Sequence, residues 1–329
     1  LDVTEVIPAG SVPTYPITEG KAARIMTGAP VPEGADAIIM HESTSFTENT
    51  VTLTAPVTSA NIIPPGEDVK AGTLLVPKGK ILTASDLALI AGQGIAEIGV
   101  YKKLSIGLIS TGSELLNTGS PLEYGKIYNT NPYLLGGYIQ KHHMTANYLN
   151  TVSDDLDSLC RAVLEALKTN DVVITTGGVS AGDFDYMPEV IRRIGGDLLF
   201  HRLKFKPGGA MLGAFKDGKV ILGLSGNPGA AATGLLCVGF PFMRKLSGRS
   251  DITFSQTTAY LGVDFKKSSP VTRILKGHSD FKNGMLYFTP LSNQHNGSVS
   301  SMSDCDLLAV IPAGSKPLAA GDKLEVYIL

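Results

Sequence analysis

Glycines and carboxylates crowd the stretch DVVITTGGVSAGDFDYMPEVI, residues 171 to 191. An apolar run ends on two threonines, Gly177 and Gly178, then Asp183 and Asp185 follow and a helical pattern begins. Three other turns have the same character: TGSEL at 111–115, SDD at 153–155 and SGNPG at 225–229. Glycine lets backbone N–H groups approach an anion closely, and a helix starting next adds a favourable dipole. Carboxylate oxygens drawn from several turns suit Mg2+ bound together with substrate phosphates. Glu114, Asp154, Asp183 and Asp185 are therefore the candidate metal ligands. Thr111, Gly112, Ser113, Asn131, Gly177, Gly178, Ser180, Asn227 and Pro228 are candidate substrate contacts.

Each residue has a plainer alternative. Asp155, beside Asp154, reads first as the N-cap of the helix that starts there, and Glu114 could be a solvated acid of a first turn. Asp183 and Asp185 are like charges two residues apart, which repel unless a cation is near. Asn131–Pro132 and Asn227–Pro228 share an Asn at the N-cap and a Pro in the first turn, the ordinary signature of a helix start. In HRLKFKPGG, Arg202, Lys204 and Lys206 alternate, so one strand would put all three on one face, opposite Leu203 and Phe205. Arg202 and Lys206 could hold an oxyanion or a phosphate; for Lys204 an edge strand guarded by lysine serves as well. GVSAG at 178–182 also fits the G-x-S-x-G elbow of serine hydrolases, with Ser180 as nucleophile. The elbow places its Ser directly after the strand, whereas here TTGG intervenes, and His201, His278 and His295 downstream have no distinguishing context.

These turns need a scaffold. Residues 1–65 are rich in β-branched residues and P-x-G turns, with VTLTAPV and DAIIM as short strands, a small β-rich subdomain. Residues 66–100 form a connector holding the short helix ASDLALIAGQG. Residues 101–247 alternate strand and helix: LSIGLIS, NPYLLGGYIQKHH, TANYLNTV, the helix DDLDSLCRAVLEALKTN, DVVITT, PEVIRRI, the strand LLFHRLKF, and a hairpin through AMLGAFKDGKVILGL. In the second helix Leu156, Leu159, Cys160, Val163, Leu164 and Leu167 make an amphipathic stripe. Such alternation means a mostly parallel sheet covered on both faces, with ligands outside the carboxyl ends of the strands. Residues 248–329 hold five short strands (TTAYLGV, VTRILKG, MLYFTPL, DLLAVIP, KLEVYIL), a small barrel or sandwich.

Composition narrows the function. The 329 residues carry a formal net charge of −2, against a dedicated nucleic-acid binder. Cys160, Cys237 and Cys305 are far apart, with neither a disulfide framework nor a zinc motif, which fits a reducing cytoplasm. Residues 220–243 lack any charge, but the SGNPG within them would break a membrane helix, and a strand–turn–helix accounts for the run. No targeting signal is visible; the chain opens on Leu1 and reads at once as a strand, as a fragment or processed form would.

Taken together, RIMTGAPVPEGADAIIMHE, TGSEL, DVVITTGGVSAGDFDY, KPGG and LSGNPGAA occur in the order seen in molybdopterin molybdotransferases, a family that includes the E domain of gephyrin. The sequence resembles that family over nearly its whole length. The resemblance implies a homodimer of four subdomains, an α/β domain that binds the pterin and a C-terminal β-barrel. It also implies Mg2+-dependent insertion of molybdate into adenylyl-molybdopterin with release of AMP, and transient contacts with other proteins of molybdenum cofactor biosynthesis. Under this resemblance Glu114, Asp154, Asp185, Arg202 and Lys206 are catalytic, and Thr27, Pro228, Arg273 and Ser298 contact substrate. A non-catalytic pterin-binding or scaffold dimer of the same fold is the alternative, disfavoured by the retention of three mutually repelling acids. Four departures from the family pattern stand out. An upstream S-x-M-D-G-Y-A, whose aspartate belongs to the site, is not in this sequence, so the fragment is expected to bind substrate and turn over poorly. Ser225 replaces a proline, Asn129 an aspartate, and Gly209–Ala210 a bulkier polar residue and proline.

Overall fold

The computed structural model describes residues 1–179 and 185–329. Contacts within the chain group it into two units, Leu1–Leu75 and Val76–Leu329. In the first, β1 (Asp2–Ile7) pairs in parallel with β2 (Lys21–Ile25), and β3 (Thr44–Phe46) pairs antiparallel with β4 (Val51–Leu53). The strand expected at DAIIM is reduced to one bridge, Ile38 to Thr58. Prolines at 30, 32 and 56 remove ladder donors on both sides of that pairing.

The second unit begins with α1 (Ala84–Gly92), the short helix expected from ASDLALIAGQG. Thr83 and Asp86 close a capping box there, and Lys80 Nζ lies 2.6 Å from the Asp86 carboxylate. Strand and helix then alternate as read from the sequence: β5 (Ser105–Ser110), the short pair β6 (Leu115–Leu116) and β7 (Ile127–Tyr128), α2 (Asn131–Lys141), β8 (Thr145–Tyr148), α3 (Leu156–Thr169), β9 (Val172–Thr176) and α4 (Met187–Arg193). β10 (Asp197–His201) and β11 (Phe205–Lys206) precede the hairpin of β12 (Leu212–Lys216) and β13 (Lys219–Leu224). Asp217 and Gly218 turn that hairpin with φ of 49° and 78°, the backbone an Asp-Gly turn needs. The uncharged run 220–243 is β13, the SGN turn, and then α5 (Pro228–Gly234), a π-helical turn at Leu235–Gly239 and α6 (Phe240–Leu246). Among the described residues no helix is long and apolar enough to cross a membrane.

The six-stranded sheet has the order β10-β12-β13-β9-β5-β8. β12 is antiparallel to both neighbours and the other pairings are parallel, so every strand but β12 runs the same way. The chain leaves β5 for β8 on one side and returns to β9 on the other. Strand order therefore reverses between β5 and β9, where an open α/β sheet offers a crevice at the strands' carboxyl ends.

Period-two alternation sends residues to two cores. Ile106, Leu108, Val172, Ile174, Val220 and Leu222 meet α2 and the α5–α6 helical run on one face. Ile109, Val173 and Ile221 meet α3 and α4 on the other. On α3, Leu164 is 40% exposed although it belongs to the expected stripe, and Ala166, at 4%, takes the inward place. Leu159, Val163 and Leu167 set the centre of the buried face, and position 164 falls outside its edge.

The C-terminal strands are β14 (Gln256–Leu261), β15 (Thr272–Lys282), β16 (Met285–Pro290), β17 (Leu307–Ile311) and β18 (Lys323–Ile328), with the single helical turn α7 (Ser300–Ser303) before β17. They hydrogen-bond in the order β15-β16-β14-β18-β17, and β17 pairs back with β15. The sheet thus closes into a five-stranded barrel rather than a sandwich, around Ala259, Leu261, Leu275, Phe288, Ala309 and Val326.

One strand is not as expected. LLFHRLKF is broken at Arg202, whose φ is 65°. Beyond the break, β11 leaves the α/β sheet and joins the barrel edge, with Phe205 opposite Thr272 and Lys206 opposite Arg273. Leu203 and Phe205 pack on the core that α5 and α6 cover. Arg202, Lys204 and Lys206 therefore do not share one strand face.

Asp155 caps α3 as read from the sequence: Ser158 N donates to its Oδ1 at 2.8 Å and Ser153 Oγ to its Oδ2 at 2.6 Å. The Ser153 hydroxyl, then the Ser158 amide, lower its pKa from 3.8 to about 2. A depressed carboxylate contributes stability above its unfolded pKa and loses it as pH falls through the folded one. Asp155→Asn is predicted to flatten the acid side of the stability curve between about pH 4 and pH 2. Urea midpoints across that range, wild type against variant, measure it; parallel curves would contradict the assignment.

Candidate functional site

The crevice is built from three strand ends. Thr111 follows β5, Gly177 follows β9, and Ser225 and Gly226 follow β13. Thr111 N donates to Thr176 O at 2.9 Å, and Gly177 N to Leu224 O at 3.0 Å, so the ladder continues past the strands into the turns. Gly177 has φ of 103°, and a methyl on it would run into the Thr111 hydroxyl and carbonyl. A Cβ on Gly226 would lie 3.6 Å from Gly177 Cα. Asn131 closes the fourth side. It does not cap α2, whose N-cap is Thr130; its Nδ2 crosses to Gly226 O at 2.9 Å. The side chain is spent on a loop 95 residues away rather than on its own helix.

Beneath the crevice runs a chain of buried neutral groups. Thr176 Oγ1 donates to Ser110 Oγ, Ser110 Oγ to Asn129 Oδ1, and Asn129 Nδ2 to Thr151 Oγ1, each at 3.3 Å. The amide at 129 accepts on one side and donates on the other, which an ionised carboxylate cannot do. Asparagine at this departure from the family pattern fits its burial.

The acids lie on the rim. Ser113 N donates to Asp154 Oδ2 at 3.2 Å, and Thr111 bridges to Val152, which joins the TGSEL turn to the start of α3. Glu114 folds back over Gly112: a Cβ on that glycine would sit 2.5 Å from Glu114 Oε2. Lys126 Nζ holds the same turn through Ser113 O at 2.5 Å. Thr111, Gly112, Ser113, Glu114 and Asp154 thus form one contiguous lip, while Asp155 is committed to its helix.

Asp185 precedes α4 and is mostly buried. Its Oδ2 lies 3.3 Å from His201 Nε2 and 3.6 Å from Arg202 Nη2. Its Oδ1 is buried without a hydrogen-bond partner among the described residues. Gly178 accepts a hydrogen bond from Met187 N at 3.3 Å and closes the base of this loop. Ser180 and Asp183 lie outside the described residues. Among the described residues no three Asp, Glu, His or Cys side chains converge on one metal-sized point.

The remaining candidates divide. Lys206 and Arg273 are register partners between β11 and β15. The strand hop at Arg202 separates Lys206 from Arg202, which is at Asp185 instead. Asn227 is the N-cap of α5, yet its side chain makes no capping bond. A barrel carbonyl does that work: Ala230 N donates to Asn296 O at 3.0 Å. Gly229 has Asn296 O and Ser298 O at 2.9 and 3.2 Å from where a Cβ would be. Ser298 Oγ takes a hydrogen bond from Asn293 Nδ2 at 3.0 Å. The SGNPG turn, with Asn227 and Pro228, therefore abuts the barrel segment carrying Ser298. Thr27 lies in the first unit, exposed just after β2.

The sequence does not show His201 as a partner of Asp185, because the residues are 16 apart and only the tertiary fold brings the end of β10 to the turn before α4. The Ser110–Thr176–Asn129 chain was also missed. Its only trace is the run of hydroxyl residues where two fully apolar strands end.

Three family descriptions cover this chain in sequence. Residues 2–94 match the MoeA N-terminal region (domain I and II), residues 107–245 a probable molybdopterin binding domain, and residues 258–329 the MoeA C-terminal region (domain IV). A molybdopterin molybdenumtransferase of Staphylococcus aureus is 36% identical over 327 residues, 99% of this chain and 78% of that protein. The chain belongs to the molybdopterin molybdenumtransferase family. A Bacillus subtilis relative of the same name is 36% identical over 333 residues, covering 100% of this chain and 77% of its own. The crystal structure of the molybdopterin biosynthesis MoeA protein of Pyrococcus horikoshii superposes with a TM-score of 0.85 at 28% identity, covering 100% of this chain and 81% of that one. The protein is accordingly an enzyme of molybdenum cofactor biosynthesis, with the MoeA fold of central α/β sheet and C-terminal barrel.

Gly177→Ala should cost about 1–3 kcal/mol, from the strained φ and the collision with Thr111 together. Urea unfolding of the variant checks this; an unchanged midpoint would mean the two turns separate freely.

Proposed function

We propose that this protein transfers molybdate into adenylyl-molybdopterin with Mg2+ and releases AMP. The observation that carries this reading is the lip at the β5–β9 crevice, where Glu114 and Asp154 flank one glycine turn at the point of strand-order reversal. Glycine-lined turns admit a phosphate close to the backbone, and the whole-chain likeness to molybdopterin molybdenumtransferases supplies the pterin.

In this reading Thr111, Gly112, Ser113, Gly177 and Gly178 line the phosphate end of the substrate, and Asn131 fixes the facing turn. Glu114, Asp154, Asp185 and, from the sequence, Asp183 are the oxygen donors for Mg2+. The donor set fits the ion: all are hard carboxylates, and the buried Asp185 Oδ1 lacks a partner among the described residues. No preformed cage is needed, since Mg2+ is usually held by one or two carboxylates plus substrate phosphates. Bound there, it would neutralise phosphate charge. Arg202 and Lys206 are the cationic groups for the molybdate oxyanion, with Arg273 beside Lys206. Ser180, Asn227, Pro228 and Ser298 complete the substrate contacts of the second unit, and Thr27, in the first, is a contact that rests on the family resemblance alone. Position and electrostatics are the protein's contribution, and the dithiolene sulfurs that receive the metal belong to the substrate. The same reading includes a homodimer, a cytoplasmic location, transient contacts with other enzymes of the pathway, and a four-part chain with boundaries near 65, 100 and 247.

The test is AMP release from adenylyl-molybdopterin with molybdate, with and without Mg2+. Release should require both; release indifferent to Mg2+ would remove the acids' assigned role. Asp185→Asn should lower the rate at least about a hundredfold with an unchanged circular dichroism spectrum. Arg202→Ala should raise the molybdate concentration at half-maximal rate roughly three- to tenfold. A molybdate curve that overlays the wild type would take Arg202 out of the site.

A further inference from the structure

Lys276, in β15, is fully buried at 0% exposure. Its ammonium donates to Ser301 Oγ at 2.5 Å and to His295 O at 3.2 Å. Both acceptors are neutral, and no ion pair to Lys276 occurs among the described residues. Charge buried among neutral acceptors is expensive, and desolvation correspondingly lowers its pKa. An apolar side chain of the same length would fill this place at lower cost.

Backbone and ammonium of Lys276 together touch one continuous segment. Gln294 pairs with the Lys276 backbone in both directions, its Oε1 3.0 Å from Lys276 N and its Nε2 2.7 Å from Lys276 O. His295 O and Ser301 Oγ bind the ammonium, and Ser301 Oγ also donates to Ser298 O at 3.0 Å. Between these anchors, Asn296 O caps Ala230 N at the first turn of α5. The ammonium also lies directly under that turn, 3.2 Å from where a Cβ on Gly229 would be. One buried side chain thus grips both ends of a loop whose middle sits on SGNPG.

We propose that Lys276 is a positioning residue: its ammonium holds the barrel segment 294–301 against the SGNPG turn, and so fixes one wall of the pterin-nucleotide site. The second half of that statement rests on the function proposed above; the first does not. An ammonium suits the task because its donors reach acceptors on both sides of the loop at once.

The experiment compares Lys276→Met and Lys276→Arg with the wild type by hydrogen exchange, thermal unfolding and AMP-release kinetics. In Lys276→Met, amides of 294–301 and Ala230 should exchange roughly tenfold faster, as expected when buried hydrogen bonds to one group are lost. Protection of β9 and β13 and the melting temperature should stay at wild-type values. KM for adenylyl-molybdopterin should rise about three- to tenfold with kcat within about twofold, and arginine should restore part of both effects. Unchanged exchange at Ala230 would overturn the proposal, as would a uniform loss of protection with a lowered melting temperature, which marks a merely structural lysine. If the wild type releases no AMP, the proposed function fails, and the exchange data still decide whether Lys276 holds the loop.

Discussion

The site depends on two strand ends that approach until no side chain fits between them. Gly177 and Thr111 continue the ladder of β9 and β5 beyond the last residue of each strand, so their turns cannot drift apart without breaking hydrogen bonds of the sheet itself. Loops usually carry the mobility of a binding site. Here the innermost residues of two loops inherit the rigidity of the core strands, and Asn131 ties a third loop to them through Gly226 O. The energetic penalty for placing polar side chains at this depth is met by neutral partners: Ser110, Thr176, Asn129 and Thr151 satisfy one another. Charge is kept to the rim, where it can be hydrated or neutralised.

The candidate acids are held in two different ways. Asp154 and Glu114 flank one glycine turn, with a hydrogen bond from the Ser113 N–H to Asp154 and one from Lys126 to Ser113 O to steady it. Asp185 is set against His201 and Arg202, whose guanidinium offsets its charge, while one oxygen has no hydrogen-bond partner among the described residues. A carboxylate set beside a guanidinium and one that takes a backbone amide make unequal ligands, which separates their roles although both are aspartates.

Much of this was legible in the sequence for physical reasons. Fully apolar strands ending in Thr–Thr–Gly–Gly or Ser–Thr–Gly can only be buried strands that deliver a turn to a sheet edge. LCRAVLEALKT gave its helix through period and cap, and Asp155 its role through position. What could not be read was anything set by tertiary register. Arg202, Lys204 and Lys206 alternate as a strand should, yet Arg202 adopts a positive φ and the residues after it change sheets. Asn131 looks like a helix cap until Gly226 is seen beside it. DAIIM has strand-forming residues but no unbroken partner. Leu164 joins the apolar stripe by type, and its exact angle on the helix leaves it outside. For Arg202 and Asn131 local preference was correct and a distant contact decided otherwise.

The excursion of β11 bears on modularity. Between His201 and Leu212 the chain quits one sheet, lends Phe205 and Lys206 to the barrel edge, and comes back. Gly208 makes the return possible by pressing against the backbone of α5 at Ala230 and Gly234. A cut near residue 248, at the end of the helical run, would therefore not fall where the hydrogen bonding divides. A barrel excised there would leave β15 with a bare edge at Thr272–Arg273, and a foreign barrel grafted there would meet two orphaned peptide groups. The two folds are interlaced through β11.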